Sequence, residues 1–274
     1  MVPSDVVPAP FLWHLHPFAH GGGVRYDQRP DGDGYPFDWD YFFHIFWGTF
    51  GYTTLTPLQK PKGPKGFAYQ ISAGGKKLVA VAPVPFEGNF GPCTNADWVS
   101  EIMSEIQAYL LRQLGVWLAP HDVGHCAVTA VSEGGNAMRD LMATANQSHP
   151  FREAYVLDST DFGARTALLN ALNSWYQRVP DGVVRWYTRF AANDLRAAGF
   201  DDGTQSTVTT DRVFVDLNPS RWRHLSDTLG VPLQKPPSVE PPRGVQVNGG
   251  IDASHVHSLI GLVSLTDAIR RSRF

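Results

Sequence analysis

The chain has 274 residues, of which 43% are hydrophobic and only 18% charged, against roughly 25% charged in an average domain; 26 glycines and 21 prolines imply many turns. Lys and Arg number 23 and Asp and Glu 26, a net charge of −3 with no long basic run, which argues against a nucleic-acid partner. Two cysteines, Cys93 and Cys126, rule out a disulfide framework and leave no CxxC pair with metal-ligand spacing. No stretch approaches the ~18 apolar residues of a membrane span, and residues 1–10 lack the basic start and apolar centre of a secretion signal. The chain therefore reads as soluble, either cytoplasmic or secreted with its signal removed.

In chain order, Phe11 to His16 reads as a strand that ends at Pro17 and meets His20-Gly21-Gly22-Gly23, a turn that exposes backbone. Residues 35–66 combine an aromatic stretch with a Pro/Gly/Lys loop and read as an insertion or lid. Lys77 to Ala82 reads as a buried strand, followed by a helix that Asn95 caps, with Val99, Ile102, Met103, Ile106 and Leu110 at helical spacing. His125 to Val131 predicts a strand and Glu133 to Ala145 a helix. Strands follow at Ala154 to Leu157, Val183 to Phe190 and Arg212 to Leu217, with a helix over Ala164 to Trp175. A last helix spans Ser258 to Ile269, after an extended connector from Pro232 to Arg243.

Alternating strands and helices, with strands too apolar to keep one wet face, predict an α/β fold: a mostly parallel central sheet with helices on both faces, in one domain over residues 1–274. Ligands of such folds bind at the carboxyl ends of the strands. The segment Ala127 to Met138 is the most informative there. A strand ends on Ser132, small residues stand two before and two after it, and a helix starts at once with Gly134-Gly135. Small neighbours are what a tight strand-to-helix turn needs; the plainer alternative is that Ser132 only caps the helix.

Ala130-Val131-Ser132-Glu133-Gly134 resembles the nucleophile elbow of α/β-hydrolases, G-x-S-x-G with alanine in the first position. The resemblance implies a serine hydrolase that cleaves a carboxylic ester through an acyl-enzyme, with Ser132 as nucleophile. It implies a base in the loop before the last helix, where His255 is preferred to His257, and an acid between serine and histidine in sequence. Asp194, just beyond the Val183 strand, is the preferred acid; Asp158, at the end of the Ala154 strand with Asp161 close by, is the alternative, as in pancreatic-type lipases. The backbone N–H of Glu133 supplies one oxyanion donor. The second comes from the loop that resembles an HGGG motif, at Phe18, Ala19, Gly21 or Gly22.

Trp39, Phe43 and Trp47 recur at helical spacing within an aromatic run and read either as core or as a wall of the substrate site. His14 and His16 share a strand face without a third ligand, so no metal is expected, and without a dinucleotide or Walker loop no nucleotide cofactor is either. The expected ligand is a small-molecule or acyl ester. An amidase or peptidase of the same fold, and a non-catalytic relative that binds an apolar ligand, are the alternatives.

Overall fold

The computed structural model describes residues 10–15, 71, 73–83, 90–113, 115, 123–159, 164–188, 192–203, 210–216 and 264–273. In chain order these form β1 (Phe11–Leu15), β2 (Val79–Val81), a 3-10 turn (Gly91–Thr94), α1 (Ala96–Gln113), β3 (Cys126–Val131) and α2 (Gly134–Thr144). Then come β4 (Phe151–Leu157), α3 (Ala164–Arg178), β5 (Val183–Thr188), α4 (Ala192–Ala197), β6 (Asp201–Asp202) and β7 (Arg212–Asp216). A final helix, α5, covers 264–270.

The seven strands make one sheet in the order β2-β1-β3-β4-β5-β7-β6, and every pairing is parallel. The order reverses between β2 and β3, and again at the far edge, where β7 inserts between β5 and β6. From β1 the chain goes to β2 on one side, then crosses back over β1 to β3 and works outward to β4 and β5. The carboxyl ends of β1 and β3 therefore flank a topological switch point, where connections leave in opposite directions and open a crevice. The α/β class and the parallel sheet expected from the sequence are both present.

Side chains alternate across a strand, and the register turns that alternation into rows. Leu15, Ala130, Val156, Trp186 and Phe214 lie side by side across five strands, all fully buried. Against this face pack Met103 of α1, Met138 and Leu141 of α2, Leu172 and Trp175 of α3, and Leu195 of α4. Each large apolar side chain buried in this way contributes about 1.5–3 kcal/mol. Asn95 caps α1 as the sequence predicts, its side-chain oxygen accepting the Trp98 N–H at 3.0 Å.

The opposite face mixes buried apolar residues such as Leu12, Ala127, Val131 and Leu157 with a polar row. That row runs His14, Thr129, Tyr155 and Arg185, and His14 Nδ1 lies 2.9 Å from Thr129 Oγ1. Helix α5 and the residues after it close this side. Tyr187 donates its hydroxyl to Asp267 at 2.7 Å, Arg271 Nε reaches the same carboxylate at 2.9 Å, and Glu153 accepts from Tyr155 at 2.6 Å and from the Arg273 N–H at 2.8 Å. Burial pushes both phenols well above their ordinary range, with the neighbouring carboxylates adding to the shift, so they remain donors.

The predicted elements differ from the observed ones in a few places. The Lys77 to Ala82 segment is an edge strand of three residues and only half-buried, because it pairs on one side alone. β4 starts at Phe151 rather than Ala154 and α3 continues to Arg178; β5 is described over Val183–Thr188, and residues 189–190 lie outside the described residues. Asp194, expected just beyond the Val183 strand, stands there in the first turn of α4, and β6 is an element the sequence did not predict.

Candidate active site at the end of β3

Val131 ends β3 and Gly134 begins α2, so the reversal from strand to helix falls on Ser132 and Glu133. Ser132 takes φ +53, the left-handed region, which costs a side-chain-bearing residue about 1–3 kcal/mol and persists only where its surroundings impose it. Glu133 is already helical at φ −61 and ψ −15 and occupies the N-cap of α2. The helix cap thus belongs to Glu133, so the plainer role for Ser132 does not apply. Ser132 is half-buried and Glu133 exposed.

Three contacts impose the turn. The Ser132 carbonyl accepts the Gly135 N–H at 3.1 Å, and the Glu133 carbonyl accepts the Asn136 N–H at 3.0 Å. Ser159, just past the end of β4, donates its hydroxyl to the Ser132 carbonyl as well. The two glycines are a consequence of this packing. A Cβ on Gly134 would overlap the Leu15 carbonyl at the end of β1, and one on Gly135 would lie 2.7 Å from Ser159 Oγ and 2.8 Å from its carbonyl oxygen. The first turn of α2 is wedged between the ends of β1 and β4, directly over the switch point.

Both candidate acids are described. Asp158 directly follows β4, one position past the Val131–Leu157 pairing, and so stands level with Ser132 on the next strand. It is 7% exposed, its N–H donates to the Tyr187 carbonyl at 2.8 Å, and its φ of +47 makes it, with Ser132, one of two non-glycine residues in the left-handed region among those described. Asp194 lies farther out on α4. Its side chain is 56% exposed and pairs with Arg165 of α3 at 3.1 Å.

The other predicted site residues, His255, His257, Phe18, Ala19, Gly21, Gly22, Trp39, Phe43 and Trp47, lie outside the described residues, as do Asp161, His16, His20 and the 35–66 segment. The last residue of β1, Leu15, pairs with Ala130, two residues before Ser132. Sequence reasoning missed Ser159. Its contact with the elbow depends on how β3 and β4 align, and no local pattern carries that.

Among the described residues no group of three His, Cys, Asp or Glu side chains is gathered closely enough to hold a metal. Both cysteines are free thiols, and burial on β3 pushes the Cys126 thiol far up, so it is no nucleophile. No described helix is long and apolar enough to cross a membrane. No family model, no curated protein and no solved structure matches this chain.

Proposed function

We propose that the protein is a serine hydrolase of α/β-hydrolase type that cleaves carboxylic esters through an acyl-enzyme. The observation that carries this reading is Ser132 itself: a half-buried serine at φ +53, on a strand-to-helix turn, at the switch point of a parallel sheet. A fold stores strain at such a position when the strained side chain has work to do. The sharp turn lifts a hydroxyl above the strand ends and leaves the N–H of the next residue at a helix start, where developing negative charge is favoured.

In the proposed reaction the Ser132 Oγ attacks the ester carbonyl carbon while His255, or His257 in its place, takes the hydroxyl proton. The carbonyl oxygen gains the negative charge and accepts from the Glu133 N–H and from the glycine loop, at Phe18, Ala19, Gly21 or Gly22. Each such donor lowers the barrier by about 2.7–4 kcal/mol. The intermediate collapses, the histidine protonates the leaving alcohol, and the acyl group stays on Ser132. Water, deprotonated by the same histidine, then releases the acid and restores the serine. A carboxylate holds the histidine's tautomer. Asp158 is the better supported acid, because it is shielded from water and level with the nucleophile, whereas Asp194 is open to solvent and occupied by Arg165. Trp39, Phe43 and Trp47 would line the acyl or alcohol side.

A fluorophosphonate probe tests the reading. Wild type labels and Ser132→Ala does not; equal labelling of the two overturns it. p-Nitrophenyl esters of increasing chain length then give the acyl preference, and His255→Ala against His257→Ala identifies the base by which of the two abolishes turnover.

A further inference from the structure

Ser159 is fully buried, yet it carries a hydroxyl that must find a partner there. The partner is the Ser132 carbonyl, 27 residues back in the chain, which already accepts the Gly135 N–H. Both acceptor positions of that carbonyl are used, one by the helix that follows the serine and one by the neighbouring strand's exit. Fixing a carbonyl fixes the peptide plane between Ser132 and Glu133 and, with it, the serine's ψ and the direction of the Glu133 N–H. Resting on the serine-hydrolase reading, we infer that Ser159 is a positioning residue: its hydroxyl locks the Ser132 backbone in the orientation that presents the nucleophile.

The surrounding geometry fits that role. Asp158, at φ +47, breaks the strand alternation immediately before Ser159 and turns the chain at the point where it meets the elbow. Gly135 leaves the space Ser159 occupies, since a Cβ there would collide with both the hydroxyl and the carbonyl of Ser159. The strap and the elbow are shaped to each other. Because Ser159 directly follows Asp158, the residue that holds the nucleophile's backbone is covalently next to the better supported acid. The two proposed catalytic groups are thereby referenced to one another through a single hydrogen bond.

The test is kinetic. Ser159→Ala removes the hydroxyl and should lower kcat about 10- to 100-fold, the cost of a small misplacement of a reacting group, with KM changed less than about threefold. The rate at which a fluorophosphonate labels Ser132 should fall by a similar factor in protein that still melts cooperatively. A purely structural role would lower Tm and leave both rates at the wild-type level, and that result overturns the inference. If Ser159→Ala does not fold, Ser159→Cys carries the test, because its thiol fills the same place and donates only weakly. A reduced kcat at unchanged KM supports the inference, and wild-type kcat overturns it. Labelling of wild type and Ser132→Ala at equal rates sinks the hydrolase reading and this inference with it. Labelling confined to Ser132 but indifferent to Ser159 sinks the inference alone.

Discussion

Tyr187 and Asp267 join the last strand-facing helix to the middle of the sheet, a phenol and a carboxylate 80 residues apart meeting at 2.7 Å with both side chains almost wholly buried. Such a pair helps to select one docking of α5, since any shift of the helix leaves two polar groups in the dark without partners. Tyr187→Phe keeps the ring and removes the donor, leaving Asp267 with Arg271. The expected loss is about 1–3 kcal/mol in urea unfolding. An unchanged midpoint would mean that the hydrogen bond contributes nothing net.

Glu153 gives the fold an acid-sensitive joint. Burial alone would raise its carboxyl, but contacts with His125, at 3.1 Å, with Tyr155 and with the Arg273 N–H outweigh it and hold the group below the usual carboxylate range. A carboxyl more acidic folded than unfolded stabilises the protein above its unfolded value, about 4.3, and that contribution disappears as pH falls through the folded value. Glu153→Gln should therefore be less stable than wild type at pH 7, with the gap narrowing as pH falls below about 4. Parallel denaturation curves at pH 7 and pH 3.5 measure it; a gap independent of pH contradicts the assignment.

The two glycines of the elbow should respond in graded fashion. Gly135→Ala places a methyl 2.7 Å from the Ser159 hydroxyl and 2.8 Å from its carbonyl oxygen, a milder overlap, at a cost of about 1–3 kcal/mol. Gly134→Ala drives the methyl into the Leu15 carbonyl, part of a central strand that cannot yield, and should cost more. Thermal melts of the two variants side by side read the order, and equal melting temperatures would show that β1 and the elbow are less tightly packed than described.

For the acid, Asp158→Asn should lower kcat by roughly a thousandfold or more, the order seen when a triad carboxylate loses its charge. Asp194→Asn should change it less than about threefold, because its carboxylate faces Arg165 and solvent. The reverse pattern in steady-state ester hydrolysis would return the role to Asp194.

The strands that the sequence discloses most fully are those buried on both sides. Phe11 to Leu15, Cys126 to Val131 and Val183 to Thr188 lie inside the sheet and are apolar almost throughout. The start of β4 escaped notice because Arg152 and Glu153 read as surface charges, although Glu153 is fully buried and bonded by groups from distant parts of the chain. β6 is Asp201-Asp202, pairs with β7 and has no apolar signature to find. The elbow was legible from its small residues, since steric demand leaves a local trace. Its fastening by Ser159 was not, because it rests on a register between two strands that sequence spacing does not encode.

The placement of β1 between β2 and β3 also sets a timetable. His14 bonds to Thr129, 115 residues later, so a ribosome adding ~5–20 residues per second separates these partners by roughly 6–23 s. Through that interval β1, wholly buried once folded, has no β3 to pair with and offers an apolar edge to other nascent chains. Its arrival beside β3 also supplies the Leu15 carbonyl against which Gly134 seats. The Ser132 turn therefore completes only when β1 slots into the middle of the sheet, and a chain in which β1 fails to pair lacks the surface on which that turn seats.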